Sequence, residues 1–185
     1  MSTAGAFEAA GSAGAAGVGG SAGAPGAAPE YAAAGVLAAL GARGQTLAVA
    51  ESLTGGLLAA TIVDVPGASA VFRGGLIVYA TDLKASLAGV DGAVLAERGP
   101  VDPEVARQLA RGAALRCGAD WGLSTTGVAG PDPQDGIPAG TVYIGLSDPD
   151  GHTVSRRLDL VGDRPAVRRA TVASALTLIA ESIPR

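Results

Sequence analysis

The chain has 185 residues, with 13 Lys and Arg against 17 Asp and Glu, a formal net charge of −4 and a pI near 4.9. That length fits one domain, or one domain with a tail, and the acidic balance disfavours nucleic acid as a partner unless a local basic patch exists. At 48% hydrophobic and only 3% aromatic residues, the core must be packed from Ala, Val and Leu. The single cysteine, Cys117, excludes an internal disulfide framework and any zinc site needing two thiolates, as suits a reducing cytoplasm. No run reaches 18 apolar residues, and the first basic residue is Arg43, so a soluble protein with no membrane span or signal peptide is expected.

Residues 1–29 hold 11 Ala and 8 Gly with no helical or strand period, and each Gly weakens a helix by about 1 kcal/mol against Ala. They read as a disordered tail, with the folded domain over 30–185. A helix starts at Pro29 and Glu30, carries Val36, Leu37 and Leu40 on one face, and stops at Gly41-Ala42-Arg43-Gly44. Thr46 to Ala50 is a strand-length apolar run, followed by the turn Glu51-Ser52-Leu53-Thr54-Gly55-Gly56 and a helix to about Val63. Pro66-Gly67-Ala68 breaks the chain before a second strand, Phe72 to Tyr79, and a short helix near Asp82 to Leu87. Asp102-Pro103-Glu104 supplies an N-cap, a Pro at the first helical position and an acid in the first turn of a helix reaching about Cys117. Trp121 to Thr125 is a third strand, emptying into the Gly- and Pro-rich loop 126–136. Thr141 to Leu146 and Thr153 to Leu160 flank the turn Asp148-Pro149-Asp150-Gly151 and should pair as a hairpin. Asp163 caps a last helix with Val172, Leu176, Ile179 and Ile183 as its buried stripe. Strands alternating with helices, then a hairpin, predict a three-layer α/β/α domain with a mixed sheet, whose ligand sites lie at the strand-to-helix loops.

Twelve of the thirteen basic residues are Arg, and Lys84 is the only lysine. An arginine cannot lose its proton near neutral pH and so cannot serve as a general base, whereas a lysine can. Lys84 is therefore either a residual surface charge or a residue that must titrate, and Tyr79 five positions upstream could share in proton transfer. Ser52, between a strand and a helix, is either the helix N-cap or a nucleophile activated by Lys84, with helix N–H groups or the Gly55-Gly56 backbone stabilising an oxyanion. Thr54 and the two glycines could instead cradle a phosphate, although no lysine follows them as in a Walker loop. Glu51 is a buried partner or a helix-start acid. Thr126 offers a hydroxyl at the head of a glycine loop, and Arg164 could hold a phosphate or carboxylate, whereas Arg156, Arg157, Arg168 and Arg169 read as a solvated charged face. His152 and Cys117 stand apart from any carboxylate pair, so neither a metal site nor a Ser-His-Asp triad is expected.

Taken together, Ala50-Glu51-Ser52-Leu53-Thr54-Gly55-Gly56, Gly74-Gly75-Leu76-Ile77-Val78-Tyr79 with Lys84 and Leu87-Ala88-Gly89-Val90, Thr126-Gly127-Val128-Ala129-Gly130-Pro131 and Gly140-Thr141-Val142-Tyr143-Ile144-Gly145-Leu146 resemble, in order and spacing, the CinA C-terminal domain family, the nicotinamide-nucleotide amidohydrolases. The resemblance covers about residues 31–183. It implies a CinA C-terminal-like fold and hydrolysis of the carboxamide of nicotinamide mononucleotide to nicotinic acid mononucleotide and ammonia, a step of pyridine nucleotide salvage needing no cofactor or metal. It also implies Ser52 as nucleophile, Lys84 and Tyr79 as base and proton relay, and Thr126 as a further catalytic residue. Thr54, Gly55, Gly56, Gly75, Gly127, Gly130 and Arg164 are implied as substrate-binding positions, with Arg164, in a Gly-Asp-Arg segment, as the phosphate candidate. The loop 130–136 has fewer glycines than in many relatives. The further N-terminal domain found in many of them has no counterpart here, so a stand-alone deamidase is expected. A catalytically silent nucleotide-binding or competence-related accessory protein is the main alternative, and a phosphatase on the same fold the next. Homo-oligomerisation stays open, since the Ala-rich last helix could pack against a copy of itself.

Overall fold

The computed structural model describes residues 29–184, and the expected tail, Pro29 apart, lies outside the described residues. In chain order the elements are α1 (Pro29–Gly41), β1 (Leu47–Glu51), α2 (Leu57–Val63), β2 (Phe72–Ile77), α3 (Thr81–Ser86), α4 (Gly92–Arg98), α5 (Pro103–Cys117), β3 (Trp121–Gly127), β4 (Thr141–Ser147), β5 (Thr153–Asp159) and α6 (Arg164–Ser182). The five strands form one sheet in the order β2-β1-β3-β4-β5. β1 runs parallel to β2 and β3, while β4 is antiparallel to both β3 and β5. This is the mixed sheet expected from the alternation of elements followed by a hairpin.

Successive strand side chains point to opposite faces, and β1 shows how the two halves of the core are divided. Leu47 and Val49 join the cluster made with α1, α2 and α6, whereas Ala48 and Ala50 join the one made with Val105, Leu109 and Ala113 of α5. The α5 face is built from small residues because the helix backbone lies almost on the sheet. A Cβ on Gly122 would come within 1.9 Å of the Ala110 carbonyl oxygen, and one on Gly145 within 2.2 Å of that of Ala106. Between them Ser124 donates its hydroxyl to the Ala106 carbonyl at 2.6 Å. The Ala- and Gly-rich composition thus serves close helix-on-sheet contact on this side.

From β1 the chain moves to β2 on one flank and later returns to β3 on the other. This reversal of direction leaves a crevice beyond the carboxyl ends of the parallel strands, the usual position for a ligand in an open α/β sheet. Two local expectations are corrected. Strand β2 stops at Ile77 instead of Tyr79, because the carbonyls of Val78 and Tyr79 are taken by a side chain. Helix α4 was not expected; the Asp91 carboxylate caps it by accepting from the Ala93 N–H.

Candidate active site

A cleft of about 320 Å³ lies at that crevice and is lined by Ser52, Leu53, Tyr79, Lys84, Thr126, Gly127, Gly130 and Arg164, among others. Seven of the eleven positions singled out from the sequence therefore meet there. A larger groove, about 580 Å³, sits on the α5 side among Glu104, Arg107, Arg111 and Arg116, but it contains no nucleophile next to a base.

Ser52 is presented by what Glu51 does. The Glu51 side chain is fully buried and accepts from the N–H groups of Gly56 at 2.9 Å, Leu58 at 3.0 Å and Ala59 at 2.8 Å. A carboxylate there satisfies donors that would otherwise be orphaned at the start of α2 and interacts favourably with the helix dipole. The helix begins after Gly56, so the reading of Ser52 as its N-cap is corrected. Its hydroxyl is left for another partner.

That partner is Lys84. The side chain is 1% exposed, and Nζ donates to Ser52 Oγ at 3.2 Å, to the Val78 carbonyl at 2.9 Å and more loosely to the Tyr79 carbonyl at 3.4 Å. Burial lowers its pKa from 10.5 to about 8, opposed in part by the charge of Asp82. A neutral amine keeps two N–H donors and one lone pair. The two carbonyls can hold the donors while the lone pair accepts from Ser52, the geometry of a Ser/Lys nucleophile and base.

Tyr79 occupies the rim. Its ring is 60% exposed, and its hydroxyl accepts from Arg164 Nη2 at 2.9 Å, while Arg164 Nη1 donates to the Gly130 carbonyl at 3.0 Å. Only the backbone carbonyl of Tyr79 touches Lys84, so the phenol does not join the Ser52–Lys84 pair as a relay in this geometry. Thr126 is buried at the cleft and donates to the Pro100 carbonyl at 2.7 Å, tying the end of β3 to the segment before α5. Gly127 permits the close approach of β4, since a Cβ would lie 2.6 Å from the Thr141 carbonyl oxygen.

Four expected binding positions lie outside the cleft lining. Thr54 is fully buried, with its hydroxyl 2.7 Å from that of Thr125. The Gly55 N–H donates to the Ser52 carbonyl at 3.1 Å and the Gly56 N–H is held by Glu51, so neither amide remains for an oxyanion. Gly75 sits inside β2, where a Cβ would press on Val49.

The amides left without a partner are those of Leu53, which lines the cleft, and of Thr54, which does not. Both residues are buried, and neither amide makes a hydrogen bond among the described residues. Buried N–H groups without a partner are rare, and these directly follow Ser52. Sequence reasoning missed a second participant, Arg168, assigned above to a solvated face. It reaches from α6 to the carbonyls of Leu53 and Thr54. Nothing in the local pattern marks it, because the contact spans more than 110 positions of chain. His152 also departs from expectation: it lies 3.2 Å from Asp148 on an exposed turn that also brings Asp150 close.

Residues 29–183 match the family profile of the CinA C-terminal domain, and the chain belongs to that family. Among its relatives, a CinA-like protein of Frankia casuarinae is 57% identical over 74% of this chain and 31% of its own length. A putative competence-damage inducible protein of Halothermothrix orenii is 45% identical over 74% of this chain and 33% of its own. The chain spans about a third of the length of these curated relatives. Of the solved structures, the competence/damage inducible protein CihA of Agrobacterium tumefaciens superposes with a TM-score of 0.80 at 31% identity, covering 85% of this chain and 96% of that one. The competence damage-inducible protein A of Klebsiella pneumoniae gives 0.80 at 32%, covering 83% and 95%. No helix among the described residues is long and apolar enough to cross a membrane.

Proposed function

We propose that this domain hydrolyses the carboxamide of nicotinamide mononucleotide to nicotinic acid mononucleotide and ammonia, in the cytoplasm and as part of pyridine nucleotide salvage. The observation that carries the reading is the buried Lys84 Nζ, 3.2 Å from Ser52 Oγ and lowered by burial toward the neutral amine. The substrate is the one implied by the family resemblance.

In this reading neutral Lys84 takes the Ser52 proton as Oγ attacks the amide carbon. The oxygen that gains charge is met by the free N–H of Leu53, which lines the cleft, as in other serine hydrolases. The Lys84 ammonium then gives its proton to the departing nitrogen, the C–N bond breaks, ammonia leaves and an ester on Ser52 remains. Water enters, loses a proton to Lys84 and attacks the ester. The acid departs as Ser52 Oγ regains the proton, and the enzyme is unchanged. Arg164 and Tyr79 at the rim, with further guanidinium donors available, suit the phosphate end of the nucleotide.

The test is ammonia release from nicotinamide mononucleotide by purified protein with chelator present, wild type beside Ser52→Ala. Activity in the wild type and none in the variant is the expected outcome. Binding of the nucleotide, seen as a raised Tm, with no ammonia released would favour the accessory binding protein instead, and phosphate in place of ammonia would favour a phosphatase.

A further inference from the structure

Arg168 is half-buried on α6, one helical turn beyond Arg164. Its Nε donates to the Leu53 carbonyl at 3.1 Å and its Nη2 to the Thr54 carbonyl at 2.5 Å. The guanidinium packs over Gly55, whose φ is +57°, at 3.7 Å from where a Cβ would stand, an ordinary contact distance. The Thr54 carbonyl has a second partner in the Leu57 N–H. The Leu53 carbonyl has none besides Arg168 among the described residues.

In a trans peptide the carbonyl of one residue and the N–H of the next point in opposite directions. Holding the Leu53 carbonyl against α6 therefore directs the Thr54 N–H away from α6. Release of that carbonyl would let the Leu53–Thr54 peptide unit turn over and loosen the turn that sets the neighbouring Leu53 N–H at the cleft. The guanidinium also adds positive charge to both peptide units, and its fork meets two successive carbonyls as a single ammonium cannot.

We propose that Arg168 is a positioning residue of this site, fixing the turn after Ser52 so that the unpartnered N–H of Leu53, which lines the cleft, stays available to the oxyanion. This rests on the serine-hydrolase reading above. It places part of the catalytic geometry on α6, at a residue that lines no part of the cleft.

The experiment measures covalent labelling of Ser52 by a fluorophosphonate probe, beside steady-state ammonia release, for wild type, Arg168→Ala, Arg168→Gln and Arg168→Lys. Labelling forms the Ser52 Oγ–P bond, expels fluoride and passes the hydroxyl proton to Lys84. It needs the oxyanion donor but not the nicotinamide substrate. One lost donor costs about a hundredfold in rate; a loosened donor is expected to slow labelling and kcat in Arg168→Ala by about tenfold or more. KM should stay within about threefold, and the acidic pH limb set by Lys84 should stay in place. Arg168→Lys should recover part of the loss, and added guanidinium should restore part of the Arg168→Ala rate. Labelling within about twofold of wild type, or a loss carried wholly by KM, overturns the inference. Should Arg168→Ala fail to fold, Arg168→Gln and Arg168→Lys decide by the same criteria. Wild type that is labelled but releases no ammonia removes the proposed substrate and leaves Arg168 to be judged by labelling. Wild type that resists labelling overturns both readings.

Discussion

The Lys84 ammonium nitrogen stands 3.2 Å from the Ser52 hydroxyl oxygen, although 32 positions of chain separate the two residues. Neither contact residue is exposed to any extent that would suit a surface charge: Lys84 is 1% and Ser52 7% exposed. A lysine held in this way has a consequence for the pH dependence of activity. Only the neutral amine can accept the Ser52 proton, so kcat/KM should rise about tenfold per unit below pH 8 and level off above it, following the lowered pKa. Asp82 raises that pKa, so Asp82→Asn should move the limb toward lower pH by a few tenths of a unit, the size expected of an exposed charge. A pH-rate profile of both proteins checks this, and a limb unmoved in the variant and far from pH 8 in the wild type would contradict it.

Lys84 also ties stability to pH. Its folded pKa, about 8, lies below its unfolded value of 10.5. The unfolded chain therefore binds more proton between these values, and the contribution of Lys84 to stability improves as pH rises from 8 to 10.5. Against Lys84→Met, which is expected to have no measurable activity, the wild type should gain about 1 to 2 kcal/mol over that interval, after discounting for water at the cleft. Thermal melts of both proteins at pH 7.5 and pH 10 measure the difference.

Tyr79→Phe removes the hydroxyl bonded to Arg164 and leaves the backbone carbonyl on Lys84. The loss should fall on KM, by about threefold to tenfold, the range of one ordinary hydrogen bond, as suits a solvent-exposed rim, with kcat nearly unchanged. A kcat effect of a hundredfold without change in KM would instead make the phenol a proton relay.

Glu51 holds three N–H groups at the start of α2. Glu51→Ala leaves them unpaired and buried, at a cost of about 3 kcal/mol or more, and Glu51→Gln, whose amide offers one acceptor oxygen, should lose roughly half of that. Urea denaturation checks the order. Activity should fall with both, because the same turn carries Ser52.

Two glycines should behave in opposite ways. Gly145→Ala would place a methyl group 2.2 Å from the Ala106 carbonyl oxygen, and since that carbonyl belongs to a packed helix, the cost should exceed about 3 kcal/mol and deplete soluble protein. Gly35→Ala, in the middle of α1 with nothing within 4 Å of the new carbon, should stabilise by about 0.5 to 1 kcal/mol.

Much of this molecule is local and was legible as such. The cap at Asp102 with Pro103 behind it, the Asp163 cap of α6, the hairpin around Gly151 and the apolar run of β1 depend on neighbours a few residues away, and the sequence by itself determined them. The isolation of Lys84 among twelve arginines singled the residue out but left a residual surface charge and a titrating group as equal readings, and its burial decides between them. What only the tertiary structure decided is who meets whom across the sheet. It gave the α2 cap to Glu51 and so released Ser52, drew the Tyr79 phenol to Arg164, buried Thr54 against Thr125, and sent Arg168 from the last helix to the turn after β1. Hydrogen bonds of this kind form between groups that compete for the same few donors and acceptors, and the winner is set by which strands become neighbours, a property of the whole chain that no window of sequence contains.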